Sequence, residues 1–365
     1  MSSSADTPPP STSDQHSSKK LVILSIVSLF VAVLLAAFGY GFSAENTNIN
    51  TTAKVFGFRR FFRTQSATAA AVVKKDISTS SAIPKSDNTM RTPVYFLSHG
   101  GPNIMYDRDH PAYRKLGEIG REITTKVKPR AVVVFSAHWQ AGRNTIQVNT
   151  AEMTDLIYDF YGFPSHYYKE KFPNVGSKEV ANKVLDALTE AGIKAEGVKR
   201  GLDHGVWASF KCAFDPDSNP LNVPIVQVSL FNTEDAAQHY QLGQAVSKLR
   251  DENILIIVSG MAVHNLRDLQ LTWGNPKPMP YTASFDEALK DAVTKPPAER
   301  EQAMIDLLKR PDARQAHPSF DHLLPIYIGA GAAGDDLGKR LWTQKEGSMS
   351  WAQYRFGDVG DNSAL

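Results

Sequence analysis

The sequence predicts a single α/β domain over residues 91–365, built on a mixed to mostly parallel central sheet flanked by helices. Three observations carry that prediction: short β-branched runs of strand length, stretches of helical period between them, and two runs apolar enough to be covered on both faces. VYFLS (94–98) is the first strand, followed by a helix over 112–127. AVVVFSA (131–137) and TIQVN (145–149) are the next two strands. The stretch 177–191 reads as a helix, with Ser177 as its N-cap and Val180, Val184, Leu185 and Leu188 at a 3–4 spacing. VPIVQVSL (223–230) and NILIIVSG (253–260) are the two doubly covered strands. Helices are expected over 233–250, 282–294 and 297–309, and the segments KRLWTQ and SMSWAQYRFG form an antiparallel pair around a turn at Glu346 and Gly347.

Ahead of this domain the composition is different. Residues 1–20 are Ser, Thr, Pro and Asp with almost nothing apolar, which predicts disorder. Residues 21–42, LVILSIVSLFVAVLLAAFGYGF, carry no charge and have the length of a transmembrane helix or signal-anchor. The rival reading is a cleaved signal peptide, with small residues at Ala36 and Ala37. Residues 43–90 read as a linker. The expectation is therefore a single-pass membrane protein whose compartment is left open, since Lys19 and Lys20 precede the apolar run while Lys54, Arg59, Arg60, Arg63, Lys74 and Lys75 follow it.

Composition excludes several function classes. A net charge of +2 gives no electrostatic footprint for nucleic acid, and no basic cluster interleaved with aromatic residues is present. One cysteine, Cys212, rules out an intrachain disulfide framework and a Cys-rich zinc module. Paired glycines occur in HGGPN, but neither G-x-G-x-x-G nor a Walker-type loop does, so a nucleotide site has no support.

Ten histidines are present, and their placement is informative. His99 follows VYFLS, His138 ends AVVVFSAHW, and His264 follows ILIIVSGMAV. In open α/β sheets ligands bind in the crevice beyond the carboxyl ends of the strands, so three imidazoles delivered at three strand ends converge. His317 and His322 lie together in HPSFDHLLP, with Asp321 beside the second, and one of that pair is expected to be a ligand. Neutral imidazole suits iron, zinc, copper or nickel, and ligands this far apart in sequence describe a catalytic metal site rather than a finger.

The ordered motifs SHGGP, SAHW, IYDFYGFP, LDHGVW, SGMAVHNL and DHLLP resemble the class III extradiol ring-cleavage dioxygenases, nearest to their DOPA 4,5-dioxygenase-like branch. The resemblance covers residues 93–357. It implies metal binding by His99, His138 and His322, an acid/base role for His264, and a pocket role for His204. It also implies one non-haem metal ion, Fe(II) or Zn(II), a small catechol as substrate and dioxygen as co-substrate, with a homo-oligomer left open. Many extradiol enzymes use two histidines and a carboxylate; a third histidine here weakens the inference to iron. Asp321 is expected either to orient an imidazole or to cap a helix, and Tyr158, Phe160, Tyr161 and Phe163 either line a pocket for a flat ring or pack in the core. Two rival functions use the same site: a zinc hydrolase with His264 or His204 as proton carrier, and a non-enzymatic binding protein.

Overall fold

A computed structural model of the chain describes residues 91–272 and 275–360. The disorder, apolar span and linker expected before residue 91 lie outside the described residues. The expectation of a single-pass membrane protein is corrected, because no helix among the described residues is long and apolar enough to cross a membrane. The longest, Pro280–Val293, has 14 residues. At 1.5 Å per residue it extends roughly 21 Å, against about 30 Å of hydrocarbon.

The strands are β1 (Val94–Ser98), β2 (Ala131–Gln140), β3 (Thr145–Asn149), β4 (Lys194–Val198), β5 (Ile225–Leu230), β6 (Ile254–Gly260), β7 (Val263–His264), β8 (Gly338–Trp342), β9 (Lys345–Glu346), β10 (Met349–Ser350) and β11 (Gln353–Phe356). The helices are α1 (Pro111–Glu122), α2 (Lys178–Glu190), α3 (His204–Ala213), α4 (Ala236–Val246), α5 (Leu266–Thr272), α6 (Pro280–Val293), α7 (Pro297–Leu307), α8 (Ala313–Ala316) and α9 (Leu324–Ala333). The main sheet has the order β4-β3-β5-β2-β6-β1-β11-β8, and a small sheet has the order β7-β10-β9. At the centre, β5, β2, β6 and β1 run parallel. β3 pairs with β5 antiparallel, as β11 does with β1 and β8. The sheet is thus mixed around a parallel core.

Alternation along the central strands explains why they read as unbroken apolar runs. Val94, Phe96, Val133, Phe135, Ile256 and Val258 join the core on one face with residues of α2, α4, α6, α7 and α9. Tyr95, Leu97, Val132, Val134, Leu255 and Ile257 join a second core on the other face with residues of α1 and α3. A strand covered on both faces has no polar side to show.

Helix ends follow local chemistry. Ser177 accepts a hydrogen bond from the Val180 backbone N–H, capping α2. The helix expected over 112–127 is α-helical only to Glu122 and then loosens into a π turn, Ile123–Val127, that ends on Lys128 in the left-handed region. The region expected as helix over 233–250 begins at Ala236 and gives way to a 3-10 segment, Ser247–Glu252. Helix α9 is buried along its whole length. Its last carbonyls are sealed by two buried guanidinium groups: Arg250 donates to the oxygens of Ala332 and Ala333, and Arg300 to those of Ala330 and Gly334.

Candidate metal centre

Because β1, β2 and β6 are parallel neighbours, their carboxyl ends open on the same side of the sheet. His99 follows β1 directly, and its backbone N–H donates to the Gly260 carbonyl at the end of β6. Strand β2 runs past its expected end to Gln140, so His138 lies within the strand rather than after it. His322 precedes α9, and its carbonyl accepts from the Met261 N–H, 2.8 Å away, just beyond β6. His204 is the first residue of α3. Asp203, fully buried before it, accepts from Ser136 on β2 at 2.7 Å and from Arg200 at 3.0 Å, tying the start of α3 to the sheet. Gly205 comes next because a Cβ there would stand 2.6 Å from Ser136 Oγ and 2.7 Å from His138 Cδ2. The sequence Asp-His-Gly is therefore an anchor, a site side chain and a clearance.

Three imidazoles meet. The Nε2 atoms of His99 and His138 are 3.2 Å apart, as are those of His138 and His322. Each ring is turned by a partner on its other nitrogen. His322 Nδ1 lies 2.6 Å from Asp321 Oδ2, and His138 Nδ1 lies 2.9 Å from Asp159 Oδ2. An ionised carboxylate only accepts, so both Nδ1 atoms carry the proton. His99 Nδ1 lies 2.9 Å from Ser259 Oγ, whose own hydrogen goes to the Gly205 carbonyl, so this Nδ1 also donates. All three Nε2 atoms are then bare lone pairs facing one another at contact distance. That arrangement repels itself unless a cation lies between them. The donor set fits a transition metal bound through neutral imidazole, with outer partners that fix the tautomers.

The remaining site residues surround this group. Asp159 is shared: its other oxygen is 2.8 Å from His204 Nδ1 and accepts the His204 backbone N–H at 3.0 Å. The rings of His138 and His204 are 4.1 Å apart. His264 stacks on His322 with ring centroids 3.8 Å apart and planes 12° from parallel. It is the only one of the five whose imidazole makes no hydrogen bond among the described residues. Burial lowers the pKa of His99, His204, His264 and His322, and neighbouring imidazoles push each in the same direction. Burial acts the same way on His138, but the Asp159 hydrogen bond and the charges of Asp203, Asp159 and Asp321 outweigh it and raise its pKa. Asp159 and Asp321 stay ionised far below the usual carboxylate range, because their histidine hydrogen bonds overcome the cost of burial.

The sequence left a choice between His317 and His322, and the geometry separates them. His317 is fully buried, donates from Nε2 to the Ala262 carbonyl at 3.0 Å and packs on Phe285, outside the cluster. Of the aromatic segment, Phe160 packs edge-on against His204 at 5.4 Å, whereas Tyr161 is 91% exposed and lines nothing. Asp159 and Ser259 were not singled out from sequence. Asp159 stands inside the quoted IYDFYGFP segment, where an ionisable side chain among aromatics was the available signal.

Residues 93–357 match the family model described as the catalytic LigB subunit of aromatic ring-opening dioxygenase. A 4,5-DOPA dioxygenase extradiol of Beta vulgaris is 36% identical over 280 residues, covering 74% of this chain and 97% of that one. A protein of the same name from Escherichia coli K12 is 33% identical, over 67% of this chain and 86% of that one. A dioxygenase of Hapsidospora irregularis is 32% identical, over 69% and 82%. The crystal structure of an uncharacterized Escherichia coli K12 protein superposes with a TM-score of 0.59 at 29% identity, covering 73% of this chain and all of that one.

Proposed function

The chain belongs to the LigB family of extradiol ring-opening dioxygenases, and from that premise we propose that it opens a small catechol with dioxygen at a metal held by His99, His138 and His322. The observation that carries the reading is the convergence of three bare Nε2 lone pairs, each fixed by a donor bond from Nδ1. Such an ion, when bound, supplies a Lewis-acidic centre at which a catecholate and dioxygen come together.

The chain's own residues then have distinct tasks. Asp159, Asp321 and Ser259 hold the three rings so that the lone pairs stay pointed inward. His264, with no hydrogen-bond partner for its imidazole among the described residues and lying flat against His322, is the group that takes the proton from a catechol hydroxyl and later returns it. Burial keeps it unprotonated, the state a base must start from. His204 donates from Nδ1 to Asp159, so its Nε2 is a bare acceptor for a substrate hydroxyl. Phe160, edge-on to His204, supplies an apolar wall for a flat ring.

The test is anaerobic preparation with Fe(II), followed by metal analysis and oxygen uptake with a panel of catechols. The expected result is one ion per chain and oxygen consumption with a yellow ring-opened product. One observation favours a second reading: both nearby carboxylates face outward to Nδ1 atoms, so the donor set is nitrogen alone and equally agreeable to zinc. Zinc-dependent hydrolysis without oxygen uptake on any catechol would replace the first reading with the second.

A further inference from the structure

We infer that Asn265 is the positioning residue for His264: its amide locks the chain behind the imidazole, so that the ring stays flat against His322. The inference deepens the acid/base role given to His264 and rests on the ring-opening reading above.

His264 needs such a device. His99, His138, His204 and His322 are each turned by a hydrogen bond to Ser259, Asp159 or Asp321. The His264 imidazole makes none among the described residues and has its stack on His322, with 3.8 Å between ring centroids. Stacked rings slide over one another, so the place of this one is set by the backbone that carries it. That backbone is a short piece of strand. Val263 and His264 pair with Ser350 and Met349, and the Asn265 N–H continues the pairing to the Ser348 carbonyl at 3.3 Å. Side chains alternate along a strand, so Asn265 projects to the face opposite His264 and acts on it through the main chain.

On that face the amide is fully used. Its Oδ1 accepts the backbone N–H groups of Arg267 at 3.0 Å and Asp268 at 3.2 Å, which caps α5. Its two Nδ2 hydrogens are shared among the Gln315 carbonyl at 2.8 Å, Asp268 Oδ2 at 3.1 Å and the Tyr281 hydroxyl at 3.2 Å. The Tyr281 hydroxyl donates in turn to Asp268 Oδ2 at 2.8 Å. Asn265 and Tyr281 are both buried, where such bonds are stronger than in water. One side chain thus joins the end of β7 to α5, α6 and α8. The start of α6 also holds the facing hairpin, because the Met279 N–H and the Thr282 hydroxyl donate to the Gly347 carbonyl at 2.8 and 2.9 Å. Both sides of the pairing that carries His264 are referred to one helix. An amide suits this position because it accepts and donates at once. An Asp would cap α5 but set a carboxylate against Asp268 and the Gln315 carbonyl, with no hydrogen to give.

The test is Asn265→Ser in the full chain, which keeps a capping oxygen and removes the amide donors. In oxygen uptake with a catechol, kcat should fall about 10- to 100-fold, with KM and Fe(II) affinity within about twofold of the parent. The same change made in His264→Ala should lower kcat by less than about twofold, since the two residues act as a unit. Equal losses in both backgrounds overturn the assignment and make Asn265 a residue of general stability. A crystal structure of N265S reads the ring without turnover. The His264 centroid should shift by about 1 Å or more from its 3.8 Å stack on His322, and an unchanged stack overturns the assignment. Should N265S not fold, Tyr281→Phe, which removes one partner of the amide and leaves the cap, is read by the same two measures in the same direction. Absence of oxygen uptake with every catechol overturns the ring-opening reading, while a displaced ring in N265S still sustains the positioning by Asn265.

Discussion

Replacing Asp159 by Asn tests whether the imidazoles are held for a metal. The carboxylate accepts three bonds: from His138 Nδ1 at 2.9 Å, His204 Nδ1 at 2.8 Å and the His204 backbone N–H at 3.0 Å. An amide has one oxygen and one NH2, so it cannot accept from both rings through separate oxygens. If the NH2 faces His138, that Nδ1 must give up its proton, which moves to the Nε2 lone pair that the proposed metal would need. Hydrogen bonds to a charged group contribute about 1.5–3 kcal/mol each, so losing one corresponds to roughly 10- to 150-fold in affinity. Loss of partners that orient a ligating histidine weakens metal binding by about the same 10–100-fold. The assay is competition for Fe(II) or Zn(II) against a chromophoric chelator, with far-UV circular dichroism to confirm the fold. An Asp159→Asn chain that folds normally and binds metal within twofold of the parent would refute the tautomer argument.

Three further outcomes are expected. His264→Ala should bind metal as the parent does while turnover falls about 10²- to 10⁴-fold, read by oxygen uptake; full retained activity would remove its acid/base role. His317 is held neutral by burial, with its pKa lowered from 6.5 to about 4. The unfolded chain therefore binds a proton that the folded chain does not, so stability is intact above about pH 6.5 and is lost as pH falls toward about 4. The contribution is of the order of 3 kcal/mol, and denaturant titrations of the parent and His317→Asn should converge over that window; parallel curves would contradict it. Cys212 is 4% exposed, and burial pushes its thiol up to about 12, so an alkylating reagent at pH 8 should label it only in denaturant.

What was legible in the sequence follows from what leaves a period or a boundary. Strands β5 and β6 stood out because burial on both faces makes them continuously apolar, and the strand-end rule then brought His99, His138 and His264 to one side. His322 was separable from His317 only through the family resemblance, since both sit in one nine-residue stretch with similar neighbours. Helix α9, LPIYIGAGAA, is legible only at its start near His322; its extent is not, because a helix buried all round has no polar stripe, and glycines argue against it locally. Strand β4, KAEGV, was missed for the opposite reason: it is a largely exposed edge strand. Asp159 could not be assigned because its meaning lies in His138 and His204, which only folding brings to it.

The placement of His138 inside β2 has a consequence for how this domain tolerates length changes. Side chains along a strand alternate between faces, so inserting one residue between Ala131 and His138 would turn the imidazole through the sheet to the opposite side. Inserting two would restore the side but carry the ring roughly 6.6 Å onward, past its companions. The segment is governed by parity and reach together: substitutions within it can be absorbed one methyl group at a time, whereas any indel there scatters the three clustered imidazoles at a stroke.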